Sequence, residues 1–413
     1  MLPATWRFLR DNGRWLGAGL VLTFASSFGQ TFFIALFAEP IRGELGLGHA
    51  GWGTLYAAAT LSSAVAIAVL GKLADLRPVT LPALGVIFAL AAAALLMSQV
   101  QAVWLLAVAV FLLRFAGQGM AGHVAVTATA RWFDRNRGRA LAIAQLGHPA
   151  GEAILPGIVV ALSLAIGWRS TWLVIAAVLV LAFAPLLTWL LAEERRPRTR
   201  TAGHGDGLVP GLAGRHWDRG EVLRHPLFWA LLPGFLASPF MGTAVLFQSA
   251  PLMAAKGWSL QLYALAFPAY AAASVAAALG AGVLVDRFGA PRLLPFVLLP
   301  MAMALFIAAF AVPAWAVFAY LAGFGLTAGA LFTVMNALWA ELYGTRHLGA
   351  VRGVVSALMV FGTALGPGLT GVLLDLGVGL EAQLAGMGAV ALGLAVSFTA
   401  ISRTLARPAP SPA

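Results

Sequence analysis

Few residues in this 413-residue chain set a reactive side chain inside a strongly apolar run, and those few are where chemistry is possible. Arg114 lies about ten residues into the apolar stretch 103–129, and Glu152 lies at comparable depth in the next one, 139–164. A guanidinium at the middle of a hydrocarbon layer costs about 2.5–3.5 kcal/mol on an insertion scale, so the default reading of such a residue is mechanistic. The simplest arrangement is an ion pair or shared cavity between Arg114 and Glu152, in which protonating the carboxylate frees the guanidinium to bind an anion. A purely structural pairing that holds two helices together is the alternative. Gln145, His148 and Glu152 recur at helical spacing and form one polar stripe, with His148 as a candidate proton relay. Pro149 and Pro156 interrupt the same segment, while Gly147 and Gly151 give it a face for close helix contact. His123 follows Arg114 by about two and a half helical turns, which sends it to the opposite side of its helix as a packing residue. The amides Gln30, Gln248 and Asn336 could bind solute groups or join helices, and Tyr56, Tyr263 and Tyr270 are weaker candidates of the same kind.

Other chemistries are poorly supplied. The chain has no Cys, so disulfides, thiolate metal sites and cysteine nucleophiles are excluded. It contains no H-E-x-x-H pair and no G-x-x-x-x-G-K-[ST] loop, which leaves no motif for an intramembrane metalloprotease or a built-in ATPase. No cofactor or metal is expected, and the protein is not expected to be an enzyme.

The elements that must position these residues follow from composition. The sequence is 61% hydrophobic and 10% charged, with a mean hydropathy of +0.90. Soluble domains carry about 25% charged residues, and so few charges cannot coat a water-soluble globule of this size. Apolar runs of spanning length fall near 15–38, 51–73, 79–99, 103–129, 139–164, 169–192, 226–252, 261–284, 290–312, 314–340, 350–374 and 381–403. In lipid each must satisfy its own backbone, so twelve helices are predicted. With the N-terminus inside, all but four of the 26 basic residues fall in cytoplasmic segments. Arg42, Arg169 and Lys256 lie on the other side, and Arg114 lies within a span. This bias predicts a multi-pass protein of the cytoplasmic membrane with both termini cytoplasmic. The net charge of +11 is then a signal facing anionic lipid, and no nucleic-acid partner is implied. A cleavable signal peptide is not expected, because the first apolar run is long and lacks a small-residue cleavage pattern. The polar, Gly- and Pro-containing stretch 193–225 reads as a linker between a bundle at 1–192 and another at 226–413.

A repeat supports two like halves. Pro40 and Pro251, Gly71 and Gly282, Leu73 and Leu284, Asp75 and Asp286, Gly138 and Gly349, Pro156 and Pro367, and Gly157 and Gly368 all pair at one common offset. Two such halves would enclose a solute site and rock about it.

The paired loops carry a family resemblance. Gly282-Val283-Leu284-Val285-Asp286-Arg287-Phe288-Gly289, with Arg292 beyond it, resembles the G-x-L-x-D-R-x-G-R-R signature of the major facilitator superfamily. Gly71-Lys72-Leu73-Ala74-Asp75-Leu76-Arg77-Pro78 keeps Gly71, Leu73 and Asp75 and departs at Leu76 and Pro78. The resemblance covers essentially the whole chain. It implies an all-α membrane protein of twelve transmembrane helices in two pseudo-symmetric six-helix bundles. It also implies a cavity lined by spans one, four, seven and ten, which carry Gln30, Arg114, Gln248 and Asn336. Each loop Asp would cap a helix N-terminus of the opposite half and latch the cytoplasmic side shut. On that analogy Asp75, with Gly71 and Arg77, meets the start of span eleven near Arg352. Asp286, with Gly282 and Arg287, meets span five near Arg139.

Arg131-Trp132-Phe133-Asp134-Arg135-Asn136-Arg137-Gly138-Arg139-Ala140 before Gly147 and Gly151 is similar to the loop of the monocarboxylate porter and oxalate/formate antiporter branch. The stretches at Phe32–Ile41 and Leu223–Trp229 look like that branch as well. The basic residues that those carriers place in spans eight and eleven have no counterpart here, which leaves Arg114 as the buried cation for an anion. The expected function is secondary transport of a small organic anion, monocarboxylate-like and proton-coupled, by a monomer embedded in the lipid bilayer. Efflux of small amphipathic compounds is the alternative within transport, and a membrane sensor or scaffold is the alternative outside it.

Overall fold

The computed structural model describes residues 2–75, 78–133, 136–193 and 210–405, and these are helical with no strand among them. They divide into two compact units, Met1–Ala202 and Gly203–Ala413.

In the first unit α1 (Leu2–Ala25) runs into a tight 3₁₀ turn at Ser26–Gly29, followed by α2 (Thr31–Ala35) and α3 (Ala38–Leu45). Then come α4 (His49–Leu70) with a 3₁₀ extension at Gly71–Asp75, α5 (Thr80–Ser98) and α6 (Val103–Leu112). The next segment, Leu113–Ala121, is π-helical and leads into α7 (Gly122–Trp132). The unit closes with α8 (Arg137–Gln145), α9 (Gly147–Ile166), α10 (Trp168–Val178), a second π segment at Leu179–Phe183, and α11 (Ala184–Leu190).

The second unit holds α12 (Arg219–Arg224), α13 (Pro226–Phe247), α14 (Ser249–Lys256) and α15 (Leu260–Phe288). It continues through α16 (Ala290–Leu293), α17 (Leu299–Phe310), α18 (Ala316–Tyr343), α19 (Leu348–Asp375) and α20 (Leu380–Leu405).

Eleven helical stretches among the described residues are long and apolar enough to cross a membrane. The first span, broken at 26–30, completes the expected twelve. Its break is the main departure from the expected pattern: a continuous run at 15–38 is instead a helix that starts at Leu2 and turns sharply at Ser26–Gly29. Hydropathy reads side chains and is blind to that backbone turn. Span seven, expected over 226–252, ends at Phe247, and α14 is a separate helix.

The sequence repeat is matched by the elements. At the repeat offset α4 starts at His49 and α15 at Leu260, while α8 starts at Arg137 and α19 at Leu348. α3 and α14 both end on a left-handed glycine, Gly46 at φ 64° and Gly257 at φ 67°. A side chain with Cβ is disfavoured in that conformation, so glycine recurs there.

At the end of each unit remote from the signature loop, one ion pair ties three helices together, and its polarity is reversed between units. In the first unit Glu44, at the end of α3, pairs with Arg169 and accepts from the Trp168 indole N–H at 2.8 Å. Arg169 also donates to the Val100 carbonyl beyond α5 at 2.6 Å. In the second unit the cation is on the α14 side. Lys256 lies 3.7 Å from Glu381 of α20 and donates to the Ala309 carbonyl of α17 at 2.5 Å. All three basic residues assigned to that side are thus engaged, Arg42 through the Leu47 carbonyl at 3.2 Å.

The Trp168 hydrogen bond and then Arg169 hold the Glu44 carboxyl below the usual glutamate range. A depressed folded-state value means that the clasp contributes fully above the unfolded glutamate range and is lost as pH falls through the depressed value. Both partners are substantially exposed, 45% for Glu44 and 35% for Arg169, so the gain is that of a surface pair, below about 1 kcal/mol. Glu44→Gln is therefore expected to lower the thermal unfolding midpoint slightly at neutral pH. The gap to the parent should close in acid, which a thermal-unfolding series against pH would read directly.

Candidate functional site

The buried polar cluster of the first unit is built where its first span turns. Gly29 and Gly117 meet backbone to backbone. A Cβ on Gly29 would strike the Leu113 carbonyl, the Gln118 amide and Gly117, and one on Gly117 would strike Gly29. This close approach presses the Ser26–Gly29 turn onto the π segment that carries Arg114. Arg114 is 1% exposed. Its Nη1 donates to the Gly29 carbonyl at 3.0 Å and its Nε to Thr60 Oγ1 at 3.1 Å. The guanidinium carbon lies 5.1 Å from the centre of the Tyr56 ring, a cation–π distance. The Tyr56 hydroxyl in turn shares a 2.6 Å hydrogen bond with Thr31 at the start of α2. Every group touching the guanidinium is neutral, and among the described residues no carboxylate reaches it. Nη2 donates to no described residue.

The expected Arg114–Glu152 ion pair is therefore not formed. Glu152 is buried and pairs one turn back on its own helix with His148, at 3.4 Å between Nε2 and Oε1. The first-span turn intervenes. A Cβ on Gly147 would strike the Leu20 carbonyl and Thr23, and one on Gly151 would strike Ser27 Oγ. α9 thus packs on α1 and its turn, while the π segment packs on Gly29 of that same turn. Depth along a span is legible in sequence, but the element lying between two spans is not. Of the stripe, Gln145 is exposed at the end of α8, and the helix breaks at Leu146. Pro149 falls in the first turn of α9, where a missing N–H costs little, and Pro156 lies inside the helix.

His123 also departs from expectation. Its Nε2 lies 3.1 Å from the Gly71 carbonyl at the end of α4, the helix that Arg114 reaches through Thr60. Hydrogen bonding from i to i+5 widens the turns between the two residues, so the ordinary helical phase does not apply. Both face α4.

The repeat offset places Gly325 where the first unit has Arg114. A Cβ on Gly325 would strike the Tyr270 carbonyl, and one on Gly329 the Ser274 carbonyl, so α18 lies directly against α15. That seam has no room for a cation, and only the first unit has the guanidinium. Gln248 is buried and its Nε2 lies 3.4 Å from Thr370 Oγ1, beside a void of about one water's size lined by Ala244, Leu252 and Leu384. The Asn336 side-chain amide donates to the Phe332 carbonyl of its own helix at 2.9 Å, and the Asn336 backbone carbonyl accepts from Arg352 Nη2 at 3.1 Å. Gln30, half-buried, sits at the junction of the turn and α2. Tyr263 is buried.

In the signature loops, the Asp75 side chain is exposed while its carbonyl and that of Ala74 accept from Arg131 Nη1, at 3.2 and 3.4 Å. The Gly71 carbonyl is the one held by His123. Arg77 lies outside the described residues. In the second loop Asp286 and Arg287 are exposed, with Arg287 over the Phe288 ring at 5.2 Å and Gly282 open around its Cα. There an anion replaces the cation: Glu341 of α18 accepts from the Ala290 amide at 3.0 Å. Arg139 stacks on Phe8 of α1 at 4.8 Å. Sequence reasoning missed Thr31, Thr60, Gly29 and Glu341, and the contact of Arg131 with the first signature loop. Tyr56 and Thr60 one turn apart were a usable signal, whereas a backbone carbonyl leaves none.

No curated protein matches this sequence. In fold, the chain is similar to a bacterial homolog of the human lysosomal transporter Spinster, solved inward-facing and unoccupied. The TM-score is 0.73 at 19% identity, over 97% of this chain and 99% of that one. The occupied inward-facing form gives 0.69 at 20% identity, over 95% and 98%. The nucleoside transporter NupG gives 0.67 at 13% identity, over 94% and 99%. The Major Facilitator Superfamily profile matches residues 19–264 and 240–413, which together span nearly the whole chain. With that match over nearly the whole chain, and eleven spanning helices beside the broken first one among the described residues, the chain belongs to the major facilitator superfamily and is a membrane transporter.

Proposed function

We propose that the protein moves a small organic anion, monocarboxylate-like, across the cytoplasmic membrane by alternating access of its two six-span halves, coupled to protons. One observation carries the reading: Arg114 is a buried cation whose partners among the described residues, Thr60, Gly29 and the Tyr56 ring, are all neutral. A charge buried without a counter-charge is costly, and an anionic solute supplies one through charge-assisted hydrogen bonds. Thr60, Gly29 and Tyr56 fix the fork before the solute arrives, which lowers the ordering cost of binding.

Glu152 and His148 are the proton-carrying pair in this reading. Protonation of Glu152 would weaken its hold on His148 and free α9 to shift against the first-span turn. Gly29 of that turn holds Arg114, so the coupling passes through backbone rather than through a direct ion pair. Asp75, Gly71 and Arg77 with Arg352, and Asp286, Gly282 and Arg287 with Arg139, would act as the cytoplasmic latch. The basic-residue bias supports cytoplasmic termini.

A thermal-stability panel of purified protein with organic acids, nucleosides, vitamins and dyes tests the solute class. Organic acids are expected to raise the unfolding midpoint. Stabilisation by nucleosides or dyes and by no acid would overturn the proposal. In proteoliposomes, Glu152→Gln is expected to retain anion binding while uptake loses its dependence on a pH gradient. Gradient-driven uptake equal to the parent's would remove Glu152 from the coupling path.

A further inference from the structure

The described end of the linker is not a free tether. Gly211 packs so closely on the end of α18 that a Cβ there would strike the Leu342 carbonyl and the Gly344 amide. The Trp217 amide donates to the Tyr343 carbonyl at 3.1 Å, and its indole donates to the Leu212 carbonyl at 3.1 Å. His225 Nδ1 lies 3.2 Å from the Tyr343 hydroxyl. Between these anchors α12 is fixed by a capping box: Asp218 accepts from the Glu221 amide and Glu221 from the Asp218 amide, both at 2.9 Å.

This rigid strap presents cations unequally. Arg215 is spent internally, paired with Glu221 at 2.7 Å and stacked on Trp217 at 4.0 Å. Arg219 and Arg224 of α12 are exposed and meet no carboxylate among the described residues, and neither does exposed Arg346, two residues beyond Gly344. Trp229, on the first turn of α13, is 51% exposed, and its indole N–H is held by the Leu223 carbonyl at 2.8 Å. A tryptophan on the first turn of a spanning helix marks the boundary between lipid and water. Its tie to Leu223 places α12 at that boundary.

We propose that this strap is a seat for an anionic phospholipid headgroup, with Arg219 and Arg224 on two sides of α12 and Arg346 beyond Gly344 surrounding the seat with positive charge and Trp229 at the acyl boundary. Exposed cations with no carboxylate partner among the described residues, beside an interfacial aromatic, are complementary to a headgroup of net negative charge, whereas in phosphatidylcholine the quaternary ammonium offsets the phosphate charge. The inference is independent of the transported solute.

The test uses full-length protein in detergent titrated with phosphatidylglycerol or phosphatidylcholine, with bound lipid read by native mass spectrometry. The parent should retain phosphatidylglycerol in preference. Arg219→Gln with Arg224→Gln should weaken that retention by about tenfold or more, since each basic residue near an anionic surface has a substantial share of the attraction. Arg7→Gln with Arg10→Gln removes the same charge from α1 and should change it little. Equal losses in the two variants would mean diffuse electrostatics and overturn the seat, as would a parent without lipid preference. Should the α12 variant not fold, Arg346→Gln alone is expected to give a smaller loss of the same kind, and its absence would count equally against the seat. Inorganic phosphate should not displace the lipid, and displacement would assign the site to a free anion instead.

Discussion

Arg114→Ala is expected to abolish saturable anion uptake while leaving the protein folded. The substitution removes the Nη2 donors and the positive charge, and hydrogen bonds to charged groups contribute about 1.5–3 kcal/mol each. Two such bonds to a carboxylate correspond to a loss in affinity of about a hundredfold or more. Stability should move much less, because the lost contacts to Gly29 and Thr60 are offset by removal of a buried charge that no carboxylate among the described residues balances. Arg114→Lys separates charge from geometry. It keeps the cation and loses both the fork and the Nε bond to Thr60, so uptake should be weak rather than absent. Flux in proteoliposomes, paired with unfolding midpoints for each variant, reads both effects. An Arg114→Ala protein that transports like the parent would remove the guanidinium from the site.

Gly29→Ala is expected to have the largest effect on stability. The new Cβ would enter the space of the Leu113 carbonyl, the Gln118 amide and Gly117, all backbone atoms of a packed helix that cannot swing aside. Either the first-span turn or the π segment must move, and in both cases Arg114 loses its Gly29 acceptor. Overpacking of this kind costs about 1–3 kcal/mol, and the disrupted buried charge adds to it. A sharply lowered unfolding midpoint or loss of monodisperse protein is the expected result. Gly157→Ala is the matched control, since a Cβ there meets nothing within 4 Å. In a helix that change should be neutral or favourable by about 0.5–1 kcal/mol. Similar behaviour of the two variants would show that the close approach at Gly29 is not what holds the cluster together.

Most of the architecture was legible because lipid imposes a simple rule. Spanning helices must be long and apolar, so their positions follow from hydropathy, and the repeat offset recurs in the helix starts at His49 and Leu260. Arg114 and Glu152 were legible as candidates for the same reason: charge is costly in hydrocarbon and stands out there. Their partners were not. The turn at Ser26–Gly29 is made of small residues and Phe28, with nothing in hydropathy to separate them from a continuing helix. The π segment shifts the face of His123, and helical phase computed from ordinary geometry cannot register it. Gly29 contributes a carbonyl to Arg114, and a backbone acceptor has no sequence signature. Reversed polarity also hid the clasps: Glu44 with Arg169 and Lys256 with Glu381 occupy corresponding corners, yet opposite charges at near-aligned positions do not score as a repeat.

The most direct test of a guanidinium that awaits an anion compares a stabilising carboxylate with its uncharged carboxamide, nearly equal in size and shape. The parent is expected to bind the acid at least about tenfold more tightly, and the Arg114→Ala protein to bind the two alike. Equal affinity of the parent for acid and amide, or an acid preference that survives in Arg114→Ala, would contradict it.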